Sequence, residues 1–369
     1  MAPVRVELTM QLADSLGLFG SHLTQVGAEP ASDELLQTVH EGEYIEVVKS
    51  LSANPINIDL SRGLGTEDNP VFEGMHEASA LIAGASVEAA RRVWSGEFKH
   101  SINVSGGLHH AMPGSASGFC VYNDIAVAIA WLLAQGAERI AYIDIDAHHG
   151  DGVQKIFYDD PRVLTISIHE TPLTLFPGTG YAQEVGPAGA EGTSVNVPVP
   201  PGTSDAGWLR AYHAVVPDVV RKFKPTILVT QQGCDSHMDD PLTNLMLSVD
   251  GQRASYLAIR DLADEVCEGK WVAFGGGGYS VTNVVPRAWS HLIGIVSRND
   301  IDPQTPTPSA WQEMVRNQRG IAAPTTMSDG RTPSYRSWVE GYDPASGLDR
   351  SILETRKEIF PYFGMDPYP

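Results

Sequence analysis

The chain has 369 residues, enough for one large α/β domain or two smaller ones, each with a sizeable core. A hydrophobic content of 42% and a charged content of 19% fit a soluble globular protein; no apolar run reaches membrane-spanning length, and no basic-then-apolar leader opens the chain. A formal net charge of −20 argues against nucleic acid as a partner, and Cys120, Cys234 and Cys267 lack paired spacing, which points to a reducing compartment, the cytoplasm.

Residues 1–10 read directly into an amphipathic helix, with Leu8, Leu12 and Leu16 on one face and Gly17 and Gly20 at its end. Ser32-Asp-Glu opens a second helix with cap-like residues, and residues 44–51 form a third. The loop 61–70 carries Asp68 just before Asn69-Pro70, which is ordinary turn chemistry. Residues 73–96 predict a long Ala-rich helix, and 101–105 a short strand ending in Gly106-Gly107-Leu108-His109-His110. Glycines let backbone approach closely, and adjacent imidazoles after a strand suit proton transfer or ligation. Residues 116–124, Ala-Ser-Gly-Phe-Cys-Val-Tyr-Asn-Asp, lead into an apolar helix over 125–133; Phe119 alone reads as core.

The densest chemistry lies in residues 139–152, Arg-Ile-Ala-Tyr-Ile-Asp-Ile-Asp-Ala-His-His-Gly-Asp-Gly. An apolar run of this kind predicts a buried parallel strand, and ligands of open α/β sheets gather at the carboxyl ends of strands. If the extended conformation persists past Ile145, Asp146 and His148 point to the same side and converge, an oxygen and an imidazole suited to zinc. Burying Asp144, Asp146, His148, His149 and Asp151 unpaired would cost roughly several kcal/mol each, so structure alone gives no reason to cluster them.

A helix is expected around 153–158 and a buried strand over 163–169, followed by Phe176-Pro-Gly-Thr-Gly and a Gly/Pro-rich excursion over 186–202. A helix over 205–223 leads into a strand over 227–232 whose carboxyl end presents Gly233, Cys234, Asp235 and Ser236. Asp235 reads equally as a helix cap or as a third metal ligand, which with Asp146 and His148 would leave room for water. A last strand, Trp271-Val-Ala-Phe, runs into Gly275-Gly-Gly-Gly-Tyr279, a backbone able to present the tyrosine to a site. After a helix over 284–296 the chain turns Pro-rich and polar, with Trp311, Tyr335, Trp338, Tyr342 and Phe360. The expected architecture is a single α/β domain over 1–300, with a central, mainly parallel sheet flanked by helices. Residues 301–369 read as an extension packed on that domain or on a partner.

Taken together, these motifs resemble the zinc-dependent histone deacetylase family, and within it the bacterial acetoin-utilisation deacetylases, which look like class I enzymes. The matching stretches are 106–124, 142–152, 176–180, 233–236 and 275–279, with weaker similarity from about residue 5 to about 296. The resemblance implies an arginase/deacetylase-like fold and one zinc ion per chain on Asp146, His148 and Asp235. It implies that His109 and His110 flank the reacting water, backed by Asp144 and Asp151 respectively, with His110 the better general base. Tyr279 would hydrogen-bond the oxyanion, and Phe119 and Phe176, with Gly118 beside them, would wall a tunnel for an acetyl-lysine stem. Leu242 would sit at the rim, and Asp68 at the mouth would hold substrate amides. A structural potassium ion would draw on Asp144, Asp146, His148 and Ser167.

Two departures accompany the resemblance. Pro241 stands where several nuclear members carry a basic residue for inositol phosphate, so no such regulation is expected. Family members also have a first strand and rim loop before the segment matching residues 1–5, so Met1 is expected to be an internal methionine of a longer natural chain. The implied substrate is an acetylated protein lysine, acetyl-coenzyme A synthetase being a plausible target, or else a small acetylated amine such as an acetylpolyamine. An arginase-like two-manganese hydrolase and an acetyl-lysine binding module are the other readings; an oligomer is compatible with any of them.

Overall fold

A computed structural model describes residues 2–368; the expectation concerning Met1 lies outside the described residues. In chain order the elements are α1 (Val4–Ser15), α2 (Asp33–Leu36), α3 (Gly42–Ala53), α4 (Met75–Trp94), β1 (His100–Asn103), α5 (Asp124–Ala134), β2 (Ile140–Asp144), α6 (Asp151–Phe157) and β3 (Val163–Glu170). They continue with β4 (Ser194–Val199), α7 (Asp205–Phe223), β5 (Ile227–Gln231), α8 (Val249–Cys267), β6 (Trp271–Phe274), α9 (Val285–Val296), α10 (Ser309–Arg319) and α11 (Gly347–Ile359).

The six strands form one parallel sheet in the order β1-β6-β5-β2-β3-β4, with helices covering both faces in a single α/β domain. Alternate residues of each strand serve opposite layers, as the two-residue period of a strand requires. Ala141, Ile143, Leu164, Ile166 and Leu228 join one core with α1, α7, α8 and α9. Ile140, Tyr142, Val163, Ile227 and Val229 join the other with α3, α4 and α5. Each fully buried aliphatic side chain in these layers contributes roughly 1.5–3 kcal/mol. The chain leaves β2 toward β3 and β4, then returns to the other side of β2 for β5 and β6. The β2–β5 junction is therefore the switch point, where open sheets leave a crevice at their carboxyl ends.

Three expectations need correction. The Gly/Pro-rich excursion over 186–202 contains β4, which survives Pro198 because it is an edge strand, needing hydrogen bonds on one side only. α8 occupies a stretch for which no element was expected; Ser248 caps it through Gly251 N, and Tyr256, Ile259, Leu262 and Ala263 bury one face. Extended structure after Ile140 stops at Asp144 and does not persist past Ile145. Beyond residue 296, Trp311 Nε1 donates to Leu8 O at 3.1 Å, Arg210 makes two 2.8 Å bonds to Asp349, and Thr355 donates to Asn196 O at 2.6 Å. No helix among the described residues is long and apolar enough to cross a membrane.

Candidate metal centre and its histidine pair

Past β2 the chain curls through a turn in which each aspartate satisfies an amide two residues on. Asp144 Oδ1 accepts from Asp146 N at 3.1 Å and Asp146 Oδ1 from His148 N at 3.0 Å. This turn, not a continued strand, brings Asp146 and His148 together. From the adjacent β5, Asp235 enters in a turn, with no helix to cap, and its Oδ1 accepts from Ala147 N at 2.8 Å. His148 Nδ1 ends 3.0 Å from both Asp146 Oδ1 and Asp235 Oδ2. The ligand atoms of Asp146, His148 and Asp235 all lie within 4.8 Å of one another, and all three residues are buried.

The donor set fits a metal. Asp146 Oδ2 is already committed to Gln231 Nε2 (2.7 Å) and Gly277 N (2.8 Å), and Asp235 Oδ1 to Ala147 N. Asp146 Oδ1, which also accepts from His148 N, and Asp235 Oδ2 converge with one imidazole nitrogen, two oxygens and a nitrogen of the kind a borderline divalent cation takes. Burial, then the neighbouring Asp146, pushes the Asp235 carboxyl above the usual carboxylate range, a strain that a cation relieves. Glycine is required where the backbone crosses this cluster: a Cβ on Gly277 would run into Asp235 Oδ2, and one on Gly233 into Asp146.

The histidine pair is set by its own frame. Asp124, buried at the start of α5, accepts from Gly107 N (3.1 Å), Leu108 N (2.8 Å) and Ser86 Oγ (2.5 Å), pinning the loop after β1. Asn123 Nδ2 donates to the carbonyls of His109 (3.2 Å) and Ala111 (3.1 Å). His109 Nδ1 then donates to Asp144 Oδ2 at 2.7 Å and His110 Nδ1 to Asp151 Oδ1 at 2.6 Å. The two Nε2 atoms lie 3.1 Å apart. Burial opposes charge on both rings. For His109 the Asp144 and Asp146 carboxylates outweigh it and raise the ring to about 9. For His110, burial and the neighbouring His109 prevail over Asp151 and lower the ring to about 4. One ring keeps a proton and the other keeps a lone pair.

Around this centre, Phe176, 47% exposed, stands edge-on to His110 at 5.1 Å between ring centroids and to His148 at 6.4 Å. Phe119 and Tyr279 are 5.6 Å apart, centroid to centroid. Gly118 has a positive φ of 49°, and a Cβ there would strike the His110 ring. Burial pushes the Tyr279 hydroxyl well above the usual phenol range, so it stays a donor. Leu242 is 44% exposed, and Asp68 lies exposed on the loop between α3 and α4. Ser167 stands opposite Asp144 in the β2–β3 register, its hydroxyl 2.8 Å from His169 Nδ1.

Sequence reading missed Gln231, which orients Asp146, and Tyr142, whose hydroxyl donates to Asp144 Oδ2 at 2.5 Å. It also missed Asp240, which accepts from Tyr279 N at 2.8 Å and Leu242 N at 3.0 Å. Gln231 and Tyr142 had a usable signal, polar groups in otherwise apolar strands; Asp240 in its turn had none.

A family model described as a histone deacetylase domain matches residues 1–296. The acetoin utilization protein AcuC of Bacillus subtilis is 44% identical over 327 residues, 88% of this chain and 84% of that protein. Its counterpart in Staphylococcus xylosus is 37% identical over 333 residues, 89% and 85% of the two chains. The crystal structure of an HDAC homolog complexed with SAHA superposes with a TM-score of 0.80 at 26% identity, covering 95% of this chain and 93% of that one.

Proposed function

The chain belongs to the histone deacetylase family and is a deacetylase hydrolase, and on that premise we propose that it removes acetyl groups from lysine side chains of proteins with one zinc ion per chain. The observation that carries the reading is the histidine pair, each ring backed by its own carboxylate, beside a buried Asp-His-Asp cluster.

Asp146, His148 and Asp235 would hold the zinc. When bound, zinc lowers the pKa of water toward about 7 and polarises an amide carbonyl. His110, neutral and with its Nδ1 proton tied to Asp151, offers Nε2 as the base that takes a proton from the attacking water. His109, held protonated by Asp144, places positive charge beside the reacting carbonyl and has a proton to give to the departing amine. As the water oxygen adds to the carbonyl carbon, the Tyr279 hydroxyl donates to the developing oxyanion. Breaking the carbon–nitrogen bond then releases acetate and a free amine. Phe119 and Phe176 exclude water from the alkyl stem, Gly118 leaves room beside it, and Leu242 and Asp68 meet the substrate at the rim. A potassium ion near Asp144, Asp146, His148 and Ser167 would play a structural part.

The reading places the protein in the cytoplasm with a metabolic protein substrate, such as acetyl-coenzyme A synthetase, in keeping with its similarity to acetoin utilization proteins. The second reading is a small acetylated amine such as an acetylpolyamine, which the net charge of −20 would not oppose. Zinc-loaded protein is offered an acetyl-lysine peptide and an acetylpolyamine in parallel. Peptide turnover abolished by a hydroxamate supports the protein-lysine reading, preference for the polyamine replaces it with the second, and failure on both refutes deacetylation of either class.

A further inference from the structure

The turn that follows β5 carries three parts of the site within eight residues: the ligand Asp235, the Tyr279 anchor Asp240 and the rim residue Leu242. At its middle stands His237, only 1% exposed. Its Nδ1 accepts from Asp239 N at 2.9 Å, and its backbone oxygen accepts from Asp240 N at 2.9 Å. The first of these bonds fixes the tautomer: Nε2 bears the hydrogen and needs a buried acceptor.

That acceptor comes from outside the family-matched region, which ends at residue 296. Asp329 Oδ2 accepts from His237 Nε2 at 2.8 Å and from Val249 N at 2.8 Å, while Oδ1 meets Arg287 at 2.8 Å. Asp329 is itself immobilised. Asp250 Oδ2 accepts from Ser328 Oγ, Asp329 N and Arg331 N at 3.0, 3.0 and 2.9 Å. His291 Nε2 donates to Met327 O at 2.9 Å, and Arg287 donates to Ser328 O at 3.2 Å. The groups that locate Asp329 come from α8, from α9 and from its neighbours Met327 and Ser328, so the bond to His237 joins the site to a rigid support.

We propose that Asp329 is a positioning residue for deacetylation: through His237 it holds the 235–242 turn, and with it Asp235 and the Asp240–Tyr279 contact, in the geometry that the chemistry needs. It touches neither substrate nor metal. The proposal rests on the deacetylase reading, but metal affinity can be read without turnover, so an inactive wild type would sink that reading and leave this one measurable.

The bond is cut from either end. Asp329→Ala removes the acceptor, and His237→Phe removes the donor while leaving the Asp329–Arg287 ion pair. Zinc affinity is measured by chelator competition, and kcat and KM on an acetyl-lysine peptide after zinc loading. Each variant is expected to lose at least about tenfold in zinc affinity and in kcat, with KM within about threefold of wild type. Asp329→Asn, which keeps an acceptor for His237, is expected to stay within about threefold in kcat. Wild-type zinc affinity and kcat in either folded variant, with only the melting temperature lowered, reduce Asp329 to a structural prop and overturn the proposal. A loss in Asp329→Asn as large as in Asp329→Ala assigns the effect to the Arg287 ion pair and also overturns it.

Discussion

His109 Nε2 and His110 Nε2 face each other across 3.1 Å, and the carboxylates behind them divide the labour. His109 sits at about 9 because Asp144 and Asp146 overcome burial; His110 sits at about 4 because burial and the charge on His109 overcome Asp151. The working form therefore has His110 neutral and His109 protonated. Asp144→Asn withdraws a carboxylate that favours the protonated ring, so the His109 pKa falls. The alkaline limb of the kcat/KM profile should move to lower pH by roughly 1–3 units. An unmoved limb would mean that His109 is not the group it reports.

Tyr279 keeps its proton across the working range, and its backbone is pinned by Asp240 rather than by its own hydroxyl. Tyr279→Phe should therefore fold and bind zinc as wild type does. It should lose about 2.7–4 kcal/mol of transition-state stabilisation, as when an oxyanion donor is removed. Steady-state kinetics beside a chelator titration check both halves; near-wild-type turnover refutes the assigned role.

Gly118 combines a positive φ with a Cβ position that the His110 ring already fills. Gly118→Ala must strain the backbone, the ring, or both, at a cost of roughly 1–3 kcal/mol for the backbone alone. Turnover should fall by about tenfold or more as His110 is displaced from Asp151. Unchanged kinetics in the folded variant would show that the ring yields without consequence.

Zinc should bind once per chain, because among the described residues one group of three ligating side chains gathers. Free zinc at 100 times its dissociation constant stabilises the fold by about 2.7 kcal/mol, so chelation should lower the melting temperature measurably. Metal analysis that finds two transition ions per chain would favour the two-manganese reading instead.

Legibility in the sequence followed distance along the chain. Asp146 and His148 stood out because an apolar strand should not end in five ionisable groups within eight residues. Their convergence was anticipated for the wrong reason: aspartate-capped turns produce it, not a continued strand. β4 escaped notice because Pro198 and the surrounding glycines mask an edge strand. The partnership of His237 with Asp329 spans 92 residues, and no local periodicity encodes it. Gln231 was readable in principle, as a polar end to an apolar strand, but its task depends on which strand lies beside it.

The sheet order also imposes a schedule. β1 lies at one edge, and its sheet neighbour is β6, with His100 beside Trp271. A ribosome adding about 5–20 residues per second makes β1 wait roughly ten to thirty seconds for that neighbour. By then β2 and β5, which carry the Asp146, His148 and Asp235 side of the crevice, have already emerged. The strand that leads into the histidine pair is thus the first of the six to be made, and it gains its sheet partner only when the last has emerged.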